Sequence, residues 1–233
     1  MNASRKSEWV IALLCLSILG NVIFVVKSAY FRIKMTQQPI SVKPVQIKLI
    51  YSMGRNTIYQ KFPVNHNDIV FIGDSHTEHF DVAEYLKGYP IKNRGIDKDV
   101  SAGVLNRIGQ VTSGNPSKIF IEIGVNDLLW NHVSVDSLLH NIKAIVDEIN
   151  SATKSKIYIL SIFPTNYPEI KNSIQEYNKQ VADYCAKNSI QFLNLYDQLA
   201  VNGVLNKKYD CGDHLHLNGD GYLVWANFIK PYL

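Results

Sequence analysis

From Asn67 onward the chain alternates short apolar, β-branched runs with longer amphipathic stretches. DIVFIG (68–73), PIKNRG (90–95), KIFIEIG (118–124), KIYILSIF (156–163) and IQFLNLY (190–196) read as strands. A helix is predicted after each of the first four, the fourth of these over about 171–188. A loop follows the fifth strand, and a last helix runs from Gly219 to Ile229. Strands that are apolar on both faces and separated by helices belong to a parallel sheet covered on both sides. The pattern therefore predicts a three-layer α/β/α sandwich on a five-stranded parallel sheet, flavodoxin-like in plan, over residues 48–233.

The N-terminal part follows a different pattern. Trp9 to Val26, WVIALLCLSILGNVIFVV, is almost unbroken apolar sequence. As a helix it would span about 27 Å, close to the thickness of a bilayer core. The expectation is an uncleaved transmembrane anchor with its flanks over residues 1–34, then a spacer over 35–47 that contains Pro39 and Pro44. A cleaved secretory signal is the rival, disfavoured by the length of the run and by the lack of an A-x-A site before Lys27. Arg5 and Lys6 on one side stand against Lys27, Arg32 and Lys34 on the other, so charge gives no orientation.

Composition matters here chiefly for what it excludes. The net charge of +4 is concentrated in residues 1–34, which hold five of the 24 basic residues and one of the 20 acidic ones. The remainder is neutral, which argues against a nucleic-acid partner. The three cysteines, Cys15, Cys185 and Cys211, form neither a disulfide framework nor a zinc-ligand spacing, so no metal or other cofactor is expected.

In an open parallel sheet, reactive groups gather just after the carboxyl ends of the strands. The first strand ends in Gly73-Asp74-Ser75 at the start of a helix, where a serine hydroxyl is presented at the sheet edge. An ordinary N-cap would look the same. Asp213 stands three residues before His216, so it can fold back onto the imidazole Nδ1–H and leave Nε2 free to deprotonate a serine. His214 competes for the role of base, and the spacing favours His216. Asn126, after the third strand, offers an amide donor, and Gly95, at the end of the second, offers a backbone N–H with no Cβ to obstruct it. Turn chemistry accounts for either residue taken alone. Tyr177, Tyr184, Tyr196 and Tyr222 read as core or boundary aromatics, while Trp130 and Asn131 are candidates to line an acyl pocket.

Four separate segments thus supply a nucleophile, oxyanion donors and an oriented base. The segments IVFIGDSHTE, NRGIDKDVSAGVLNRI, IEIGVNDLL and DHLHLNGDGYLVW together resemble the GDSL-type, or SGNH, hydrolase family. The second segment is most similar to the branch with platelet-activating-factor acetylhydrolase subunits and bacterial carbohydrate O-acetylesterases. The resemblance implies a catalytic triad of Ser75, Asp213 and His216 and an oxyanion hole of Ser75, Gly95 and Asn126. It departs from the family where Lys98 takes the place of a common glycine and His214 that of a small residue. The implied activity is hydrolysis of small acyl esters, acetyl above all, on carbohydrate, in a domain facing away from the cytoplasm. Short loops after the strands leave little chain for a deep acyl tunnel. The alternatives are a lysophospholipase or other lipid esterase, an envelope-glycan acyltransferase, and a non-enzymatic flavodoxin-like binding module, which would lack a glycine-rich phosphate loop here.

Overall fold

The structure, a computed structural model, describes residues 54–233 and, before them, Lys27 alone. The expected anchor over 9–26 and the spacer over 35–47 lie outside the described residues. Among the described residues no helix is long and apolar enough to cross a membrane.

The five predicted strands form one parallel sheet. They are β1 (Ile69–Gly73), β2 (Ile91–Gly95), β3 (Lys118–Glu122), β4 (Lys156–Leu160) and β5 (Gln191–Leu193), in the order β2-β1-β3-β4-β5. Alternate residues of each strand point to opposite layers, as the pleat requires. Val70, Ile72, Ile119, Ile121, Ile157 and Ile159 face one core. Ile69, Phe71, Phe120, Tyr158 and Leu160 face the other. On that second face Phe71, Phe120 and Tyr158 are register partners and stack in a row, with ring centroids 4.7 and 4.4 Å apart.

Each sheet face is closed by helices whose apolar positions recur with helical spacing. α1 (Ser75–His79) and α2 (Val82–Tyr85) follow β1, and α3 (Ser101–Arg107) and α4 (Gly109–Thr112) follow β2. α5 (Val125–Leu129) and the long α6 (Val135–Ala152) follow β3, and α7 (Lys171–Lys187) follows β4. The Ser134 hydroxyl accepts the Ser137 N–H to start α6, which buries Val135, Leu138, Ile142, Ile145, Val146 and Ile149. α7 buries Ile174, Tyr177, Val181 and Cys185 on the same side of the sheet. The opposite side is covered by the C-terminal α9 (Gly219–Ile229), whose Trp225 and Ile229 are fully enclosed. Each such side chain contributes about 1.5–3 kcal/mol on burial.

The stretch after β5, expected as a plain loop, has structure of its own. It holds α8 (Tyr196–Leu199) and a two-stranded hairpin, β6 (Ala200–Val201) with β7 (Val204–Leu205). These elements were not legible because four- and two-residue segments are too short to show a period. Of the four tyrosines read as structural, Tyr177, Tyr196 and Tyr222 are buried, and Tyr184 packs against the core from its edge.

Candidate active site

The chain runs from β1 out to β2 and then returns to β3 on the other side of β1, so the loops after β1 and β3 open on a topological switch point, where open α/β sheets bind ligands. Ser75 is the first residue of α1, directly after that turn. Asp74 caps the helix by accepting the His76 N–H at 3.0 Å. The cap fixes the backbone and leaves the Ser75 hydroxyl free to turn toward the C-terminal loop. There its Oγ is 2.8 Å from His216 Nε2.

His216 is oriented from behind by Asp213. Asp213 Oδ1 accepts the backbone N–H groups of Leu215 (3.0 Å) and His216 (2.8 Å), and Oδ2 stands 2.6 Å from His216 Nδ1. These bonds fold the three-residue span into the turn expected from its spacing. Burial pushes the Asp213 pKa up, but the bonds from the His216 ring and the two N–H groups more than offset it and hold it well below the usual carboxylate range. With the Nδ1 proton directed to Asp213, Nε2 is the acceptor that the Ser75 hydroxyl meets.

His214 is separated from this arrangement. It is exposed, sits at φ +70°, and pairs through Nδ1 with Asp210 Oδ2 at 3.3 Å. Asp210 also accepts the N–H groups of Gly212 and His214, and it is part of a bridge to Leu217 that braces the loop. Asp210, Cys211 and Asp213 bring groups of metal-ligand type close together, but both carboxylates are already engaged by loop N–H groups and by histidines.

Asn126 lies in α5, entered through Gly124 at φ +130°, a backbone conformation that suits glycine. The side chain is buried, and one amide hydrogen is donated to the Asp99 carbonyl at 3.0 Å. The second hydrogen of the amide remains available. Next to it, Asp127 accepts the Ser101 N–H at 3.0 Å and the Ser101 hydroxyl at 2.5 Å, joining α5 to the loop after β2. Arg107 fastens the same loop from the other side, with bonds to Asp99 Oδ2 (2.7 Å) and the Gly73 carbonyl (3.1 Å).

Gly95 requires a correction. Its N–H is donated to Asn93 Oδ1 at 2.8 Å, so it is not a free donor at the sheet edge. Its missing side chain has a packing reason instead, because a Cβ there would stand 2.1 Å from the Glu78 nitrogen. The loop beyond Gly95 makes a tight turn, closed by Asp99 N–H to the Ile96 carbonyl at 3.0 Å, with Lys98 at its third position and φ +60°. A left-handed third position is where a turn ordinarily places glycine, which accounts for the common glycine that Lys98 replaces. Among the described residues neither the Ser75 N–H nor the Lys98 N–H has an intramolecular acceptor.

Three groups near the site were not anticipated from the sequence. His79 is exposed with its ring 5.5 Å from the His216 ring, and His76 is buried with its ring 5.3 Å away. Glu122, the last residue of β3, is buried although its place in an apolar run would let it face outward. At the rim, the exposed Trp130 meets Tyr167 edge-on at 6.1 Å, and the Tyr167 hydroxyl donates to the Asp213 carbonyl at 3.4 Å.

The fold has counterparts among solved structures, and the sequence among curated proteins. A solved structure from Streptococcus pneumonia that carries the name of platelet activating factor is 28% identical, with a TM-score of 0.72, over 79% of this chain and 93% of its own. A GDSL-like lipase of Bacteroides thetaiotaomicron is 24% identical, with a TM-score of 0.70, over 77% and 95%. Among curated proteins, an N-acylneuraminate cytidylyltransferase of Streptococcus agalactiae is 24% identical over 183 residues, or 78% of this chain. The match spans only 40% of that relative's length, so the chain corresponds to a part of it. The model of the GDSL-like lipase/acylhydrolase family matches residues 71–224, from the middle of β1 into α9 and thus across every segment that meets at Ser75. The chain belongs to that family.

Proposed function

We propose that the chain removes small acyl groups, acetyl above all, from carbohydrate through an acyl-enzyme on Ser75. The observation that carries this reading is the continuous line from Asp213 through His216 to Ser75, with contacts of 2.6 and 2.8 Å. In the first step His216 Nε2 takes the hydroxyl proton as Oγ attacks the ester carbonyl. Asp213 stabilises the imidazolium that forms, and the proton then passes to the departing sugar oxygen. Water, deprotonated by the same histidine, releases the acyl group and restores Ser75.

The tetrahedral oxyanion would be met by the Ser75 N–H, the free hydrogen of the Asn126 amide and the Lys98 N–H in place of Gly95. Two features support a small acyl group on a sugar. Two clefts of about 620 and 500 Å³ among the described residues are not lined by Ser75, Asn126 or His216, so neither offers the nucleophile a deep acyl tunnel. The Trp130–Tyr167 pair presents an exposed aromatic face next to the Asp213 turn, a surface on which the apolar face of a pyranose can lie. The carbohydrate esterase of Talaromyces cellulolyticus, 16% identical with a TM-score of 0.61, shares the fold.

In this reading residues 9–26 anchor the domain on the outer side of the membrane, where envelope glycans are found. The test is kcat/KM along aryl esters from acetyl to octanoyl, with acetate release from acetylated glycans, for the full chain and Ser75→Ala. Activity should peak at acetyl and vanish in the variant. A steady rise toward octanoyl with no release from acetylated sugar would make the protein a lipid esterase. C-terminal fusions to a periplasm-active and a cytoplasm-active reporter test the topology, and signal from the cytoplasmic reporter alone would overturn it.

A further inference from the structure

Behind Ser75 lies a buried ionic group that the proposed reaction does not use. Asp74 before α1, His76 within it and Glu122 at the end of β3 are enclosed, at 0, 0 and 1% exposure. His76 Nδ1 stands 3.5 Å from Asp74 Oδ1 and 3.9 Å from Glu122 Oε1. These are ion-pair distances longer than a formed hydrogen bond, and Nδ1, Asp74 Oδ2 and Glu122 Oε1 have no hydrogen-bond partner. The other ring nitrogen, Nε2, is 3.0 Å from the carbonyl of Leu215, which can only accept. Nε2 therefore carries a proton.

With Nε2 protonated, a neutral ring would turn the lone pair of Nδ1 toward two carboxyl groups. A second proton on Nδ1 converts both contacts into attractive ones. Burial pushes the His76 pKa down, but the two carboxylates more than offset it and hold the value up at about 9. The other groups facing the cluster fit a cation at its centre. Thr77 of α1 donates its hydroxyl to Glu122 Oε2 at 3.4 Å, and Tyr222 of α9 donates to the His76 carbonyl at 3.0 Å. Phe163, after β4, and His216 present their rings at 5.1 and 5.3 Å.

The covalent neighbours of the two bonded groups give this cluster its consequence. His76 directly follows Ser75, and Leu215 directly precedes His216. We propose that His76 is a positioning residue of the esterase: its imidazolium, seated between Asp74 and Glu122, ties the serine segment to the Leu215 carbonyl and so sets the approach of His216 to Ser75. The inference rests on the esterase reading, since it concerns the geometry of that reaction. A displacement of about 1 Å between nucleophile and base can cost on the order of a hundredfold in rate.

The experiment combines kinetics of the full chain on an aryl acetate between pH 6 and 10.5 with NMR titration of ¹⁵N-labelled histidine, His76 being assigned by its absence in His76→Gln. In the wild type His76 should stay doubly protonated at pH 8, and kcat should decline as pH rises through about 9. His76→Leu should lower kcat at least tenfold with KM within about twofold. His76→Gln keeps an amide donor for the Leu215 carbonyl and should recover most of that loss without the alkaline decline. Glu122→Gln should move the decline to lower pH. Wild-type kcat in His76→Leu, or a singly protonated His76 at pH 7, would overturn the proposal. So would one metal ion per chain that disappears in Glu122→Gln, because Nδ1 would then hold a cation in place of a proton. If His76→Leu does not fold, His76→Gln and the titration still decide. The titration needs no substrate, so absent wild-type turnover would count against the esterase reading and be distinguishable from a neutral His76.

Discussion

Replacement of Asn126 by alanine separates two roles that one side chain holds at once. The buried amide donates one hydrogen to the Asp99 carbonyl at 3.0 Å and has a second for the oxyanion. Loss of the first bond affects the folded state by about 0.5–1.5 kcal/mol, to which the small cavity adds. Loss of the second raises the barrier by about 2.7–4 kcal/mol, or 10²–10³ in kcat, because a preorganised donor counts most where charge develops. Asn126→Ala should therefore melt a few degrees lower and turn over an aryl acetate at least a hundredfold more slowly, with KM nearly unchanged. Thermal unfolding and initial rates on the same preparation measure the two effects. A variant with higher KM and wild-type kcat would refute the oxyanion role and leave Asn126 as a brace for the Asp99 loop alone.

Four further outcomes follow from the site and its surroundings. Asp213→Asn keeps the acceptor for the Leu215 and His216 N–H groups but not the charge facing Nδ1, so kcat should fall by about 10³–10⁴, whereas His214→Ala should change it less than about threefold. Comparable losses in the two would show that the base is misassigned. Lys98→Gly relieves a left-handed non-glycine residue and keeps the backbone N–H, so it should raise stability by about 1 kcal/mol and retain activity, while Gly95→Ala, with a Cβ 2.1 Å from Glu78 N, should destabilise the domain; denaturant titration compares them. A His76 pKa raised on folding adds stability that is complete below the unfolded value near 6.5 and is lost as pH rises through about 9. The melting temperature should thus fall between pH 6.5 and 9.5, by less in Glu122→Gln, and a flat profile would contradict the buried ion pair. Trp130→Ala should raise KM for an acetylated sugar about fivefold or more while leaving kcat on ethyl acetate unchanged, and equal effects on both substrates would remove the aromatic platform from the reading.

What the sequence makes legible is what depends on local pattern. The strand run at 68–73 appears as Ile69–Gly73, the helix at 171–188 as Lys171–Lys187, and the last helix runs from Gly219 to Ile229 as expected. The Asp213 to His216 spacing is legible because a three-residue turn is itself a local object. Gly95 was misread because a glycine at a strand end serves equally as a free donor or as a gap for a crossing backbone, and only the position of Glu78 distinguishes the two. Lys98 stood out only as a departure from a common glycine, and the left-handed φ +60° that makes glycine usual there is visible only in the folded loop. His76 and Glu122 were passed over for a related reason. Each looks like an ordinary polar position in its own segment, and their pairing exists only because β1 and β3 lie side by side.

The contact between Ser75 and His216 bridges 141 residues, and the base stands beyond the last strand of the sheet. During synthesis the nucleophile leaves the ribosome early, while its partner histidine arrives only a few residues ahead of the final helix. Loop closure of that length is slow and comes late in folding. A nascent chain therefore carries an inert alcohol, and hydrolytic competence switches on only when the C-terminal segment docks against a finished sheet. Premature termination anywhere before Leu215 would remove both the base and the helix that covers one face of the sheet.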